Sequence, residues 1–161
     1  MKKLFLLGLS FSIFLLPILT YADSIVISPP AFMPFNHNVL YESGWSWLNV
    51  ESGSSTNVFM APVYLPNGAQ ITSVVVFYTD VSATGNLQVQ LIKYNIYTDS
   101  ANYMAQWTSS TSSASYENVK LSPIYGGAIV DNGGYAYIVR CYFSATEGDN
   151  IKLHKVKINY N

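Results

Sequence analysis

The segment Tyr135-Ala136-Tyr137-Ile138-Val139-Arg140-Cys141-Tyr142-Phe143-Ser144 decides the fold class. Tyr135, Tyr137, Val139, Cys141 and Phe143 share one parity, and Ala136, Ile138, Arg140, Tyr142 and Ser144 share the other. Successive side chains of a strand point to opposite faces, so the segment reads as a strand with an apolar inner face. Asp131-Asn132-Gly133-Gly134 precedes it, and Asn and Gly tolerate the positive φ of tight turns. Glu147-Gly148-Asp149-Asn150 reads as the next turn. The last run, 151–160, changes phase: Ile151 and Leu153 lie on one parity, Val156, Ile158 and Tyr160 on the other. One extra residue near His154–Lys155 would return all five to a single buried face, so the pattern predicts a β-bulge there.

Upstream the same grammar repeats. Residues 57–65 form an apolar run stopped by Pro66-Asn67-Gly68. Residues 71–79 form another, dense enough in Val and aromatic residues to be covered on both faces, in a sandwich or at an oligomer contact. Residues 87–94 alternate cleanly, and residues 103–108 and 116–121 are shorter strands. Residues 80–86 read as a turn, and 109–115, rich in Ser and Thr, as a loop. No stretch after residue 22 holds a 3.6-residue apolar period. About seven to nine strands at this spacing imply an all-β fold: a single antiparallel β-sandwich, jelly-roll-like, over residues 23–161.

The start of the chain is different. Met1-Lys2-Lys3 is basic, residues 4–19 carry no charge, and Thr20-Tyr21-Ala22 supplies small residues for a peptidase. Residues 1–22 therefore read as a cleaved signal peptide. The apolar run is short of the ~20 residues of a membrane span, and Pro17 interrupts it. The expected location is secreted, periplasmic or extracellular.

Composition narrows the function. The 161 residues are 50% apolar and only 11% charged. Residues 23–161 keep six basic and nine acidic side chains, a net charge of −3. That excludes a basic surface for nucleic acid, and the apolar content excludes disorder. One cysteine, Cys141, excludes an internal disulfide; its parity with Val139 and Phe143 makes it a buried apolar residue.

Two stretches, Ala61-Pro62-Val63-Tyr64-Leu65-Pro66-Asn67-Gly68-Ala69-Gln70-Ile71-Thr72 and Ala128-Ile129-Val130-Asp131-Asn132-Gly133-Gly134-Tyr135-Ala136-Tyr137, carry a resemblance. They resemble small secreted bacterial β-sandwich proteins, jelly-roll-like and of mostly uncharacterised function. The resemblance runs from about Val58 to Tyr160 and implies fold alone. It brings no catalytic residue with it.

Reactive chemistry is sparse. No G-x-S-x-G elbow is present, and His37 and His154 stand in an irregular lead-in and a strand. Ligand spacings for zinc are missing, and no cofactor is implied. Glu147 and Asp149 are the one close acidic pair, read as a solvated turn, with calcium or a glycan-acting hydrolase using His154 as lesser readings. The aromatic residues lead further. Tyr41, Trp45, Trp47, Tyr97, Tyr103 and Trp107 fall near loops or short segments, and Trp45 and Trp47 would share one strand face. Such rings fill cores, form protein interfaces, or stack on sugars. The sequence thus predicts a secreted, non-enzymatic β-sandwich that works by binding or assembly, with copies of itself or neutral glycans as partners. The alternative is a carbohydrate-binding module with Trp45, Trp47 and Trp107 as its platform.

N-terminal sequencing of the exported protein is expected to begin at Asp23. An exported product that retains Met1 contradicts the signal-peptide reading.

Overall fold

The structure is a computed structural model that describes residues 22–51, 57–110, 113–122, 124–126, 128–144 and 148–161. Among these residues there are eleven strands and one 3-10 turn, Pro29–Ala31. The strands are β1 (Asp23–Ile27), β2 (Met33–Pro34), β3 (Tyr41–Ser43), β4 (Leu48–Val50), β5 (Val58–Val63), β6 (Ile71–Asp80), β7 (Leu87–Asn95), β8 (Ala101–Thr108), β9 (Ser113–Leu121), β10 (Tyr135–Phe143) and β11 (Gly148–Tyr160). No helix among the described residues is long and apolar enough to cross a membrane.

Two antiparallel sheets form the expected sandwich. The first runs β3-β4-β11-β6-β9, with β1 also paired to the C-terminal half of β11. The second runs β2-β5-β10-β7-β8. β10 lies between β5 and β7, and its Tyr137, Val139, Cys141 and Phe143 are buried against the first sheet. Burial lifts the Cys141 thiol far above its ordinary pKa, so it behaves as a small apolar side chain. The centre holds Phe59 edge-on to Phe143 at 5.8 Å, with Leu48, Leu87, Leu91, Leu153 and Ile158 around them.

The bulge stands where the phase change puts it. Leu153 pairs with Tyr78 and Lys155 with Phe77, so His154 is the extra residue of β11. Ile151, Leu153, Val156 and Ile158 all reach the core as a result, each no more than 2% exposed. The two stretches that carry the family resemblance also meet. Gly68 N–H donates to the Val130 carbonyl and Val130 N–H to the Ala69 carbonyl, both at 2.8 Å. Asn132 Nδ2 donates to the Leu65 carbonyl at 2.9 Å. Gly68 holds φ at +82°, which a glycine adopts without steric cost.

Four expectations need correction. Eleven strands replace seven to nine, because β2, β3 and β4 are two or three residues long and too short to show alternation. Residues 109–115 are not all loop, since β9 starts at Ser113. Gly148 to Asn150 belong to β11 rather than to a turn, with Glu147 outside the described residues. Trp45 and Trp47 lie between β3 and β4, in a turn and not on a strand face. The signal-peptide reading lies, but for Ala22, outside the described residues.

Deleting His154 would turn either Ile151 and Leu153 or Val156 and Ile158 out of the core. The expected result is loss of the cooperative urea transition. A deletion variant with unfolding free energy within about 1 kcal/mol of the parent contradicts the role of the bulge.

Candidate functional site

The site is built from the extra residue outward. A bulge turns its side chain out of the regular alternation. His154 uses this to grip two neighbours on the outer face of the first sheet. Its Nδ1 lies 2.8 Å from the Ser46 carbonyl, which can only accept, so Nδ1 carries the proton. Its Nε2 is hydrogen-bonded to Thr79 Oγ1 at 2.9 Å.

Ser46 sits in the turn between β3 and β4. Gly44 N–H donates to the Trp47 carbonyl at 2.9 Å and closes that turn. The Trp47 ring lies over Gly44, where an added Cβ would meet it at 3.7 Å, and Lys152 Nζ stands 5.2 Å from its centre. Trp47 is 37% exposed. Trp45 is 96% exposed, with its ring standing free of the fold. A groove of about 430 Å³ opens beside it, lined by Val26, Ser28, Trp45, Ser46, Tyr116, His154 and Lys155. The Tyr116 ring is 4.8 Å from the His154 ring, and Tyr116 is half exposed. The groove thus pairs aromatic faces with hydroxyl, imidazole and ammonium groups, a combination suited to a sugar with one apolar and several polar faces.

The six aromatic residues singled out by sequence separate into five places. Trp45 lines the groove, and Trp47 shares its turn but packs over Gly44 and Lys152 instead. Tyr41 is half-buried and packs edge-on to Phe59 at 5.1 Å. Tyr97 is exposed in the β7–β8 turn, its hydroxyl donating to the Gly133 carbonyl at 3.1 Å. Tyr103 faces outward from the second sheet. Trp107 does not join the platform: it is half-buried, packed on the core and 4.5 Å from Tyr78. Sequence reasoning missed Tyr116 as a site residue and gave His154 a bland role. The β-bulge marked His154, but the neighbour it would hold was not readable.

A second polar surface lies on the outer face of the second sheet. Arg140 Nε donates to Gln90 Oε1 at 2.7 Å, and Gln90 Nε2 donates to Gln106 Oε1 at 3.0 Å. Arg140 Nη2 reaches the Tyr103 hydroxyl at 3.2 Å. These groups satisfy one another, and Gln90 is buried.

Hydrolytic roles find little geometry. Both His154 nitrogens are engaged. The Asp149 carboxylate accepts from Lys152 at 2.9 Å and from Asn49 at 3.1 Å, and these contacts hold it below the usual carboxylate range. Glu147 lies outside the described residues. Among the described residues, no group of three His, Cys, Asp or Glu side chains could hold a metal ion.

No protein-family model and no curated protein sequence matches the chain. Solved structures share its fold. One is Clostridium thermocellum endo-1,4-beta-D-xylanase 10B, its CBM22-1 and GH10 modules complexed with xylohexaose. The TM-score is 0.55 at 10% identity, over 87% of this chain and 28% of that one. This chain therefore spans less than a third of that xylanase chain. Another is a family 35 carbohydrate binding module from the same organism, with a TM-score of 0.50 at 9% identity, over 84% of this chain and 97% of that one. At these identities the likeness establishes the β-sandwich fold.

Tyr78, which packs against Trp107, has a pH signature through its own hydroxyl. Burial and the Glu117 carboxylate, which accepts from the Tyr78 hydroxyl at 2.7 Å, push Tyr78 up to about 12 from 10.0. A group whose folded pKa is raised contributes stability below its unfolded pKa, lost as pH rises through the folded value. Stability is therefore expected to fall between pH 10 and about 12. Tyr78→Phe should flatten that fall in denaturant titrations, and an unchanged slope contradicts the assignment.

Proposed function

We propose that the protein is a non-catalytic glycan-binding module of the cell exterior, with the groove between Trp45, Tyr116 and His154 as its binding site. One observation carries the reading: Trp45 is 96% exposed at the rim of the groove, on a turn clamped by His154. An indole left in water forgoes the free energy of its own burial, an arrangement that suits a partner covering it. The clamp limits the conformational entropy lost when a ligand settles on the ring. A pyranose presents C–H groups that lie flat on an indole, while its hydroxyls can reach Ser28, Ser46 and Lys155 at the groove walls.

The structural neighbours support glycan binding over self-assembly. Their names describe carbohydrate-binding modules, one of them held with xylohexaose beside a GH10 module. The second sheet's Arg140–Gln90 network offers the rival position for a glycan, since amides and guanidinium groups bond sugar hydroxyls well. Its groups already pair with one another, and its aromatic Tyr103 is bound to Arg140. The first-sheet groove has a ring with no such commitment.

Trp45→Ala is expected to weaken glycan binding about tenfold or more, equivalent to about 1.4 kcal/mol. Trp47→Ala should weaken it less, and Trp107→Phe should leave it unchanged. Glycan-array and calorimetric titrations check the order. Retained affinity in Trp45→Ala removes the groove from consideration.

A further inference from the structure

The charge of this protein is low but unevenly placed. Residues 23–161 contain six basic side chains. Four of them, Lys120, Lys152, Lys155 and Lys157, lie on the outer face of the first sheet. The register fixes this. Val156 and Ile158 are buried, so Lys155 and Lys157 point outward from β11. Lys120 and Lys157 both pair with Val75, from opposite sides of β6. Strand geometry then sets Lys155 and Lys157 about 7 Å apart along β11, and Lys157 and Lys120 about 10 Å apart across the sheet.

Three of these ammonium groups have no carboxylate partner among the described residues. Lys152 pairs with Asp149 at 2.9 Å. For Lys120, Lys155 and Lys157 no ion pair is present among the described residues. Lys155 instead stands 4.6 Å from the centre of the Phe77 ring. Phe77 lies 5.9 Å from Tyr116, and Tyr116 lines the groove with Lys155 itself. A continuous path thus leads from the bare Trp45 ring through Tyr116 and Lys155 to Lys157 and Lys120. Among the described residues, the acids placed on this face, Glu42 and Asp149, are at the β3–β4 end. Like charges placed side by side on a sheet repel one another. On a chain with net charge −3, such a row is what an anionic partner would relieve.

We infer that the glycan taken by this face is anionic: a polymer whose sugar rings stack at Trp45 while its carboxylates or sulfates meet Lys155, Lys157 and Lys120. The inference rests on the glycan-binding reading and replaces the neutral glycans expected from composition. A charged polymer follows from the reach of the row, which extends past the groove across three strands.

Affinity electrophoresis of the purified protein tests it against soluble polygalacturonate, dextran sulfate and neutral xylan, at low and at physiological salt. The expected result is binding of an anionic polymer at least tenfold tighter than of xylan. Lys155→Gln/Lys157→Gln should lose tenfold or more with an unchanged unfolding midpoint, and Trp45→Ala should lose affinity for the same polymer. Polygalacturonate and dextran sulfate separate carboxylate from sulfate recognition. Xylan bound as tightly as either, with no loss in the double lysine variant, overturns the inference and leaves the glycan reading standing. Binding of dextran sulfate alone, erased at physiological salt and indifferent to Trp45→Ala, shows simple ion exchange and overturns it too. No binding to any of the three overturns both.

Discussion

One residue too many in one strand organises this molecule. β11 pairs with β1, β4 and β6, and so holds the first sheet together. Its apolar residues change parity halfway along. Without the extra residue at His154, two of its four core side chains would face water, at a cost of about 1.5–3 kcal/mol each. The bulge removes that conflict and leaves His154 outside the ladder. The imidazole then fixes the Trp45–Trp47 turn through the Ser46 carbonyl. Fold and site therefore share a cause. The same irregularity that allows β11 a single buried face also supplies the post to which the exposed indole is tied.

The two outer faces of the sandwich divide the polar groups between them. On the second sheet, Arg140, Gln90, Gln106 and Tyr103 bond one another in a network that extends to Gln88 and Thr108. On the first sheet, lysines stand among Phe77, Val75 and Tyr116 with few acceptors. A surface with an 11% charged composition would be expected to look neutral everywhere. Strand pairing instead gathers most of the cations on one side, beside the barest ring. Low overall charge and a local basic stripe are compatible because Asp80, Asp99 and Asp131 sit in or beside turns elsewhere.

Much of this was legible in the sequence wherever the signal was local. The alternation of residues 135–144 gave β10 and the burial of Cys141, and the phase change in 151–160 gave the bulge. Signals that depend on contacts between distant segments were not legible. Ser43-Gly44-Trp45-Ser46-Trp47 alternates like a strand, yet Gly44 and the His154 clamp make it a turn. Trp107 looked like a platform residue because nothing in its own segment reveals Tyr78 lying against it. Lys155 and Lys157 were visibly adjacent, but Lys120 joins them only through the pairing of β6 with β9. Three-residue edge strands are too short to state a period at all.

The most direct measurement follows the three indole N–H signals of Trp45, Trp47 and Trp107 by nuclear magnetic resonance while oligogalacturonate or xylohexaose is added. Trp45 is expected to shift most, with Trp47 and the Tyr116 and His154 amides following and Trp107 staying in place. Shifts confined to Tyr103, Gln90 and Arg140, with Trp45 unmoved, would place the ligand on the other sheet and contradict the groove beside Trp45 as the binding site.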